Sequence, residues 1–124
     1  MKNDSKKKRI LHTKGWPLIP APIKIGPHDW KIAIENDLAN DAGNRHWGVK
    51  LGVKQTIVLD KTSFPSKVKL CDTLLHEILH VLYDHFSLTN EENQERMCSV
   101  ISEGLVMVFK DNPDLVDFIR ECMK

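Results

Sequence analysis

Residues 76–80 read His76-Glu77-Ile78-Leu79-His80. Histidines four positions apart stand one above the other on a helix face, so both imidazoles can bind one zinc ion. A glutamate directly after the first histidine leans over the same ion. There it can take a proton from an activated water and hand it to a leaving group. The surrounding run, residues 69–86, is apolar on nearly every side, with Leu70, Leu74, Ile78, Val81 and Leu82 among its members. A helix of this kind belongs in the middle of a domain. Polar residues inside it need a partner or a purpose. The chemistry that this spacing points to is metal-assisted hydrolysis.

Catalytic zinc normally has three protein ligands. A third histidine in the pattern His-Glu-x-x-His-x-x-Gly-x-x-His is excluded, because Tyr83 and Phe86 occupy those later positions. His85 points away from the ligand face and is expected at the exposed helix end. The remaining source is a glutamate of the next helix: Glu91, Glu92, Glu95 or Glu103. Thr89-x-x-Glu92 has the form of a capping box, which starts that helix near Thr89. Met97, Ile101, Gly104 and Val108 then make its apolar stripe. With a tight turn after Phe86, His80 lies about 9 Å back from the turn and Glu95 about 9 Å forward. Glu91 and Glu92 sit too shallow and Glu103, at about 21 Å, too deep. Glu95 is therefore the expected third ligand. Tyr83, two turns past His76, is a candidate oxyanion donor.

The elements that must position these residues come before the motif. Trp30, Ile32 and Ile34 alternate with Lys31, Ala33 and Glu35, the period of a half-buried strand. Trp47, Val49, Leu51 and Val53 alternate again, and residues 55–59 form a β-branched run. Residues 36–45 are polar and loop-like. Pro17, Pro20, Pro22 and Pro27 make residues 1–29 read as extended, partly polyproline-like chain. Asn112-Pro113 stops the second long helix, and residues 115–122 close the chain as a short one. The expected fold is α+β: a small, mostly antiparallel sheet of about three strands packed on a central helix that carries the motif, with further C-terminal helices. Residues 1–15 are expected to be a disordered basic arm and residues 16–124 a single domain.

Composition narrows the function. The chain has 124 residues, one domain's worth, and no apolar run long enough to span a membrane. The basic start lacks the apolar stretch of a secretory signal, so a cytoplasmic protein is expected. Cys71, Cys98 and Cys122 are odd in number and lack Cys-x-x-Cys spacing, which reads as reduced, mostly buried thiols. The net charge of +1 hides a split. Residues 1–69 carry 14 Lys/Arg against 6 Asp/Glu, and residues 70–124 carry 4 against 11. A uniformly basic nucleic-acid binder does not look like this.

The run Asp72 to His80, with Glu95 and Asp111-Asn112-Pro113, resembles short zincin-like metallopeptidases, particularly small phage-encoded ones. It is more loosely similar to the ImmA/IrrE type. The resemblance covers about residues 46–120 and implies a minimal gluzincin. His76, His80 and Glu95 would hold Zn2+, Glu77 would be the general base, and the substrate would be a protein or peptide. Residues 55–59 would be the edge strand that pairs with that peptide. The spacing from the second histidine to the glutamate is shorter than in the large thermolysin-like enzymes. A zinc-binding, protease-like protein without turnover, acting as a regulatory or binding module, is the alternative.

Overall fold

A computed structural model describes residues 8–10, 13, 15–35, 48–60, 64–88, 90 and 92–124. The fold is α+β. The strands are β1 (Lys8–Ile10), β2 (Ile19–Ala21), β3 (Ile23–Ile25), β4 (His28–Glu35), β5 (Gly48–Leu51) and β6 (Thr56–Asp60). Three helices follow: α1 (Lys67–His85), α2 (Gln94–Asp111) and α3 (Pro113–Cys122).

The sheet is larger and more mixed than the alternation predicts. Four strands run in the order β3-β4-β6-β5. The outer pairs are antiparallel and the central β4–β6 pair is parallel. β1 and β2 form a separate antiparallel ribbon, with Lys8 opposite Ala21 and Ile10 opposite Ile19. Residues 8–10 of the expected disordered arm are thus strand, while residues 1–7 lie outside the described residues. The proline-rich stretch also holds two strands. Pro22 and Pro27 fall between strands, where a missing backbone donor costs no ladder bond. Between them Ile23 and Ile25 are buried and Lys24 is exposed, a period of two.

β6 lies between β4 and β5, and its last four residues are all buried. A continuous buried run is what a strand covered on both faces requires. α1 packs on this region, and its Leu70, Leu74, Ile78 and Leu82 join Ile57 and Leu59 in one core. Ser66 caps α1, its hydroxyl accepting from the Lys69 N–H at 3.1 Å. Among the described residues, no helix is long and apolar enough to cross a membrane.

Asn112, at the corner between α2 and α3, is fully buried. Its Oδ1 accepts from the Lys24 N–H at 2.9 Å. Its Nδ2 donates to the Lys24 carbonyl at 2.8 Å and to the Val108 carbonyl at 2.7 Å. The side chain stands in for a neighbouring strand on the free side of β3 and fixes the helical corner to the sheet. Asn112→Ala should lower stability by about 2–4 kcal/mol in denaturant unfolding, because it leaves buried backbone groups unpaired.

Cys71 and Cys122 are buried, whereas Cys98 is exposed. Burial pushes the Cys122 thiol up to about 11. The folded state therefore disfavours the thiolate. The stability this gives is complete below the unfolded thiol's pKa and is lost as pH rises toward 11. Denaturant midpoints followed across that window should fall more steeply in the wild type than in Cys122→Ala, by on the order of 2 kcal/mol.

Candidate metal centre

His76 and His80 lie one turn apart on α1, and both are exposed. Their rings meet edge to face with centroids 4.7 Å apart, and the two Nε2 atoms are 3.2 Å apart. Two nitrogens each roughly 2.0–2.1 Å from a tetrahedral zinc stand about 3.3 Å apart. The imidazoles are thus arranged as two ligands of one ion would be. The same spacing lets one neutral ring donate its N–H to the other.

Glu77 sits beside them and is only 5% exposed. Among the described residues, no hydrogen bond or ion pair reaches its carboxylate. Buried carboxylates are ordinarily paired, so an unpartnered one next to two stacked histidines marks a place for a ligand or a proton transfer. Imidazole pairs and carboxylates are groups that zinc chemistry uses, and of the three protein ligands such a site normally has, the two histidines supply two.

The wall beside Glu77 is β5. A Cβ on Gly48 would stand 2.9 Å from the Thr73 Cγ2 and 3.3 Å from the Glu77 Cγ. Only glycine lets the strand come this close. Two residues on, Lys50 forms an ion pair with Asp84, one turn beyond His80 on α1. β5 is held against α1 at both points. Sequence reasoning missed Lys50 and Asp84 and read Gly48 only as part of a strand. The available signal was that Gly48 and Lys50 share one face by the period of two.

The strand expected to receive a peptide is misplaced. Residues 55–59 belong almost entirely to β6, which is paired on both sides. Among the described residues the end strand is β5, antiparallel to β6 in a register that sets Gly48 opposite Leu59 and Leu51 opposite Thr56.

Glu95 does not join the histidines. Among the described residues, no three His, Cys, Asp or Glu side chains form a group that could hold a metal. The physical reason is where α2 begins. It starts at Gln94 with Asn93 as its cap, whose side chain accepts from the Arg96 N–H at 3.1 Å. Glu95 is then in the first turn and exposed, beside the positive end of the helix dipole, rather than about 9 Å along the helix. Thr89 and Glu91 lie outside the described residues, and Glu92 and Glu103 are exposed. Gly104 seats α2 on α1, where an added Cβ would meet Phe86 at 2.9 Å and Leu82 at 3.0 Å. Those two positions lie about 120° round α1 from the histidines. Tyr83 is half-buried on α1. His85 is exposed at the helix end, as expected, with its ring against Gly26.

No family model, curated protein or solved structure matches the chain.

Replacing Gly48 tests the contact between β5 and α1. Gly48→Val should cost about 1–3 kcal/mol, because added atoms must displace Thr73 and Glu77 or lift the strand. The check is the denaturant midpoint together with amide hydrogen exchange. Exchange should rise across residues 48–51 and stay unchanged in α3.

Proposed function

We propose that this protein is a small zinc-dependent peptide hydrolase of zincin-like architecture, with His76 and His80 holding the metal and Glu77 as general base. The observation that carries the reading is the pair of Nε2 atoms 3.2 Å apart beside a buried carboxylate with no described partner. Zinc would supply Lewis-acid polarisation of the scissile carbonyl and of the attacking water. Glu77 would accept the proton of that water and give it to the departing amine nitrogen, acting first as base and then as acid. Its burial limits the access of bulk water to the carboxylate, and its place one residue after His76 puts it on the neighbouring stripe of α1. β5, the end strand of the four-stranded sheet among the described residues and fixed to α1 through Gly48 and Lys50, would offer its backbone groups to an extended peptide. Protein or peptide is therefore the substrate class.

A second reading, zinc binding without turnover, draws on the two-histidine donor set. Among the described residues no third ligand accompanies it. The two readings separate on one pair of measurements.

The protein supplied with zinc should bind about one ion per chain by elemental analysis, and His76→Ala or His80→Ala should abolish this. Glu95→Ala should leave zinc affinity within about threefold, since Glu95 stands apart from the pair. Glu77→Gln should keep the metal and lower cleavage of unfolded casein by about 10²-fold or more. Zinc binding without cleavage by the wild type would favour the second reading. Failure of the wild type to bind zinc would sink both.

A further inference from the structure

Leu105 to Phe109 are five apolar residues in succession on α2, yet of the 18 residues of this helix only Gly104 and Val108 are buried. Five in a row reach every side of a helix, and a helix apolar on every side is ordinarily covered on every side. The inner side of α2 packs on β3, α1 and α3. With Gly104 at the centre of that side, Ser102, Val106 and Phe109 lie about 140–200° round the helix, on the outer side. Val106 is 64% exposed and Phe109 is half-buried.

The outer side is graded along its length. Its first half carries the small residues Cys98, Ser99 and Ser102, all exposed. Its second half carries Val106 and Phe109. Glu95 stands on the same side at the start and Lys110 at the end, both exposed. Among the described residues neither has an ion-pair partner, whereas Asp72 and Asp84 on α1 and Asp117 on α3 each have one.

We propose that the outer side of α2 is the seam of a homodimer, in which two copies pair this helix antiparallel about a two-fold axis. With the axis between Ser102 and Glu103, position 95 of one helix stands opposite position 110 of the other, and 99 opposite 106. Glu95 then meets Lys110 of the second copy at both ends of the seam. The bulky half of each helix covers the small half of the other, so the two helices can approach closely. A parallel pairing would set bulk on bulk and like charge on like charge. A two-fold interface requires one patch that complements itself, and this patch does so in the antiparallel sense alone. Opposite charges at facing positions fix that orientation. A seam of one helix from each copy is small, so the dimer is weak and reversible. The seam lies on the side of α2 away from α1, and nothing in it depends on the hydrolase reading.

The test is sedimentation velocity on the full chain, from about 5 µM to about 500 µM, the range in which small interfaces exchange. The buffer contains a chelator, so that the exposed histidines cannot bridge copies through a metal. A monomer–dimer equilibrium is expected within this range. Val106→Asp should weaken association by about tenfold or more and leave circular dichroism unchanged, because the side chain is exposed in the single chain. Glu95→Lys and Lys110→Glu should each weaken association by about threefold or more, and the chain carrying both should regain it, since the pair is restored in reverse. A chain with Ser102→Cys and Cys98→Ser should give a disulfide-linked dimer on mild oxidation, because position 102 flanks the axis. A monomer throughout the range, which would leave this face to some other partner or to water, would overturn the proposal. So would a dimer indifferent to Val106→Asp, or a double charge exchange that fails to restore association.

Discussion

The contact of the Gly48 backbone with Thr73 and Glu77 is the constraint on which the candidate site depends. Because no Cβ intervenes, β5 lies directly on α1 and covers the Glu77 side chain. Lys50, on the same strand face, then reaches Asp84. The stripe of α1 next to this contact, carrying His76 and His80, is left in solvent beside the strand. A carboxylate buried without a partner works against a stability that is only marginal in any domain. Such a group persists where the surrounding packing over-determines its place, and here β5 and the apolar core of α1 do so from two sides.

The two ends of the sheet are treated differently. On the β3 side the Asn112 amide takes the backbone groups of Lys24, so a side chain completes the ladder there. β5, the other end strand among the described residues, has only four residues and carries Lys50. Short edge strands bearing lysine resist indiscriminate pairing with other sheets. Under the proposed reading, this edge admits a short extended segment next to Glu77 without offering a long template for aggregation.

Legibility in the sequence follows how local the determining physics is. α1 spans Lys67–His85, where the apolar pattern predicts residues 69–86, because Ser66 and the dense periodicity both act within a few residues. β4 and β6 are legible for the same reason. The parallel pairing of β4 with β6 is not, since alternation fixes a strand's faces but not its neighbours. The buried run Ile57-Val58-Leu59-Asp60 did carry a sign of a central strand, and assigning residues 55–59 to an edge overlooked it. β2 and β3 were hidden by their prolines, whose cost depends on whether the missing donor faces a partner, a tertiary matter.

The third metal ligand shows where such reading stops. His76 and His80 belong to one helix, and no change elsewhere alters their offset of one turn. Their pairing is therefore fixed by sequence alone, and the 3.2 Å separation agrees with it. A carboxylate from α2 is placed by the connection of residues 86–93 instead. Thr89 and Asn93 are both good caps, and choosing between them moves the helix start by about one turn, or roughly 5.4 Å. That shift exceeds the tolerance of a metal–oxygen bond by an order of magnitude. With Asn93 as the cap, Glu95 falls in the first turn, while α2 meets α1 through Gly104 on another side. Periodicity encodes which face of a helix is apolar, not how far along its neighbour the helix begins, so the two-histidine half of the centre is legible and its completion is not.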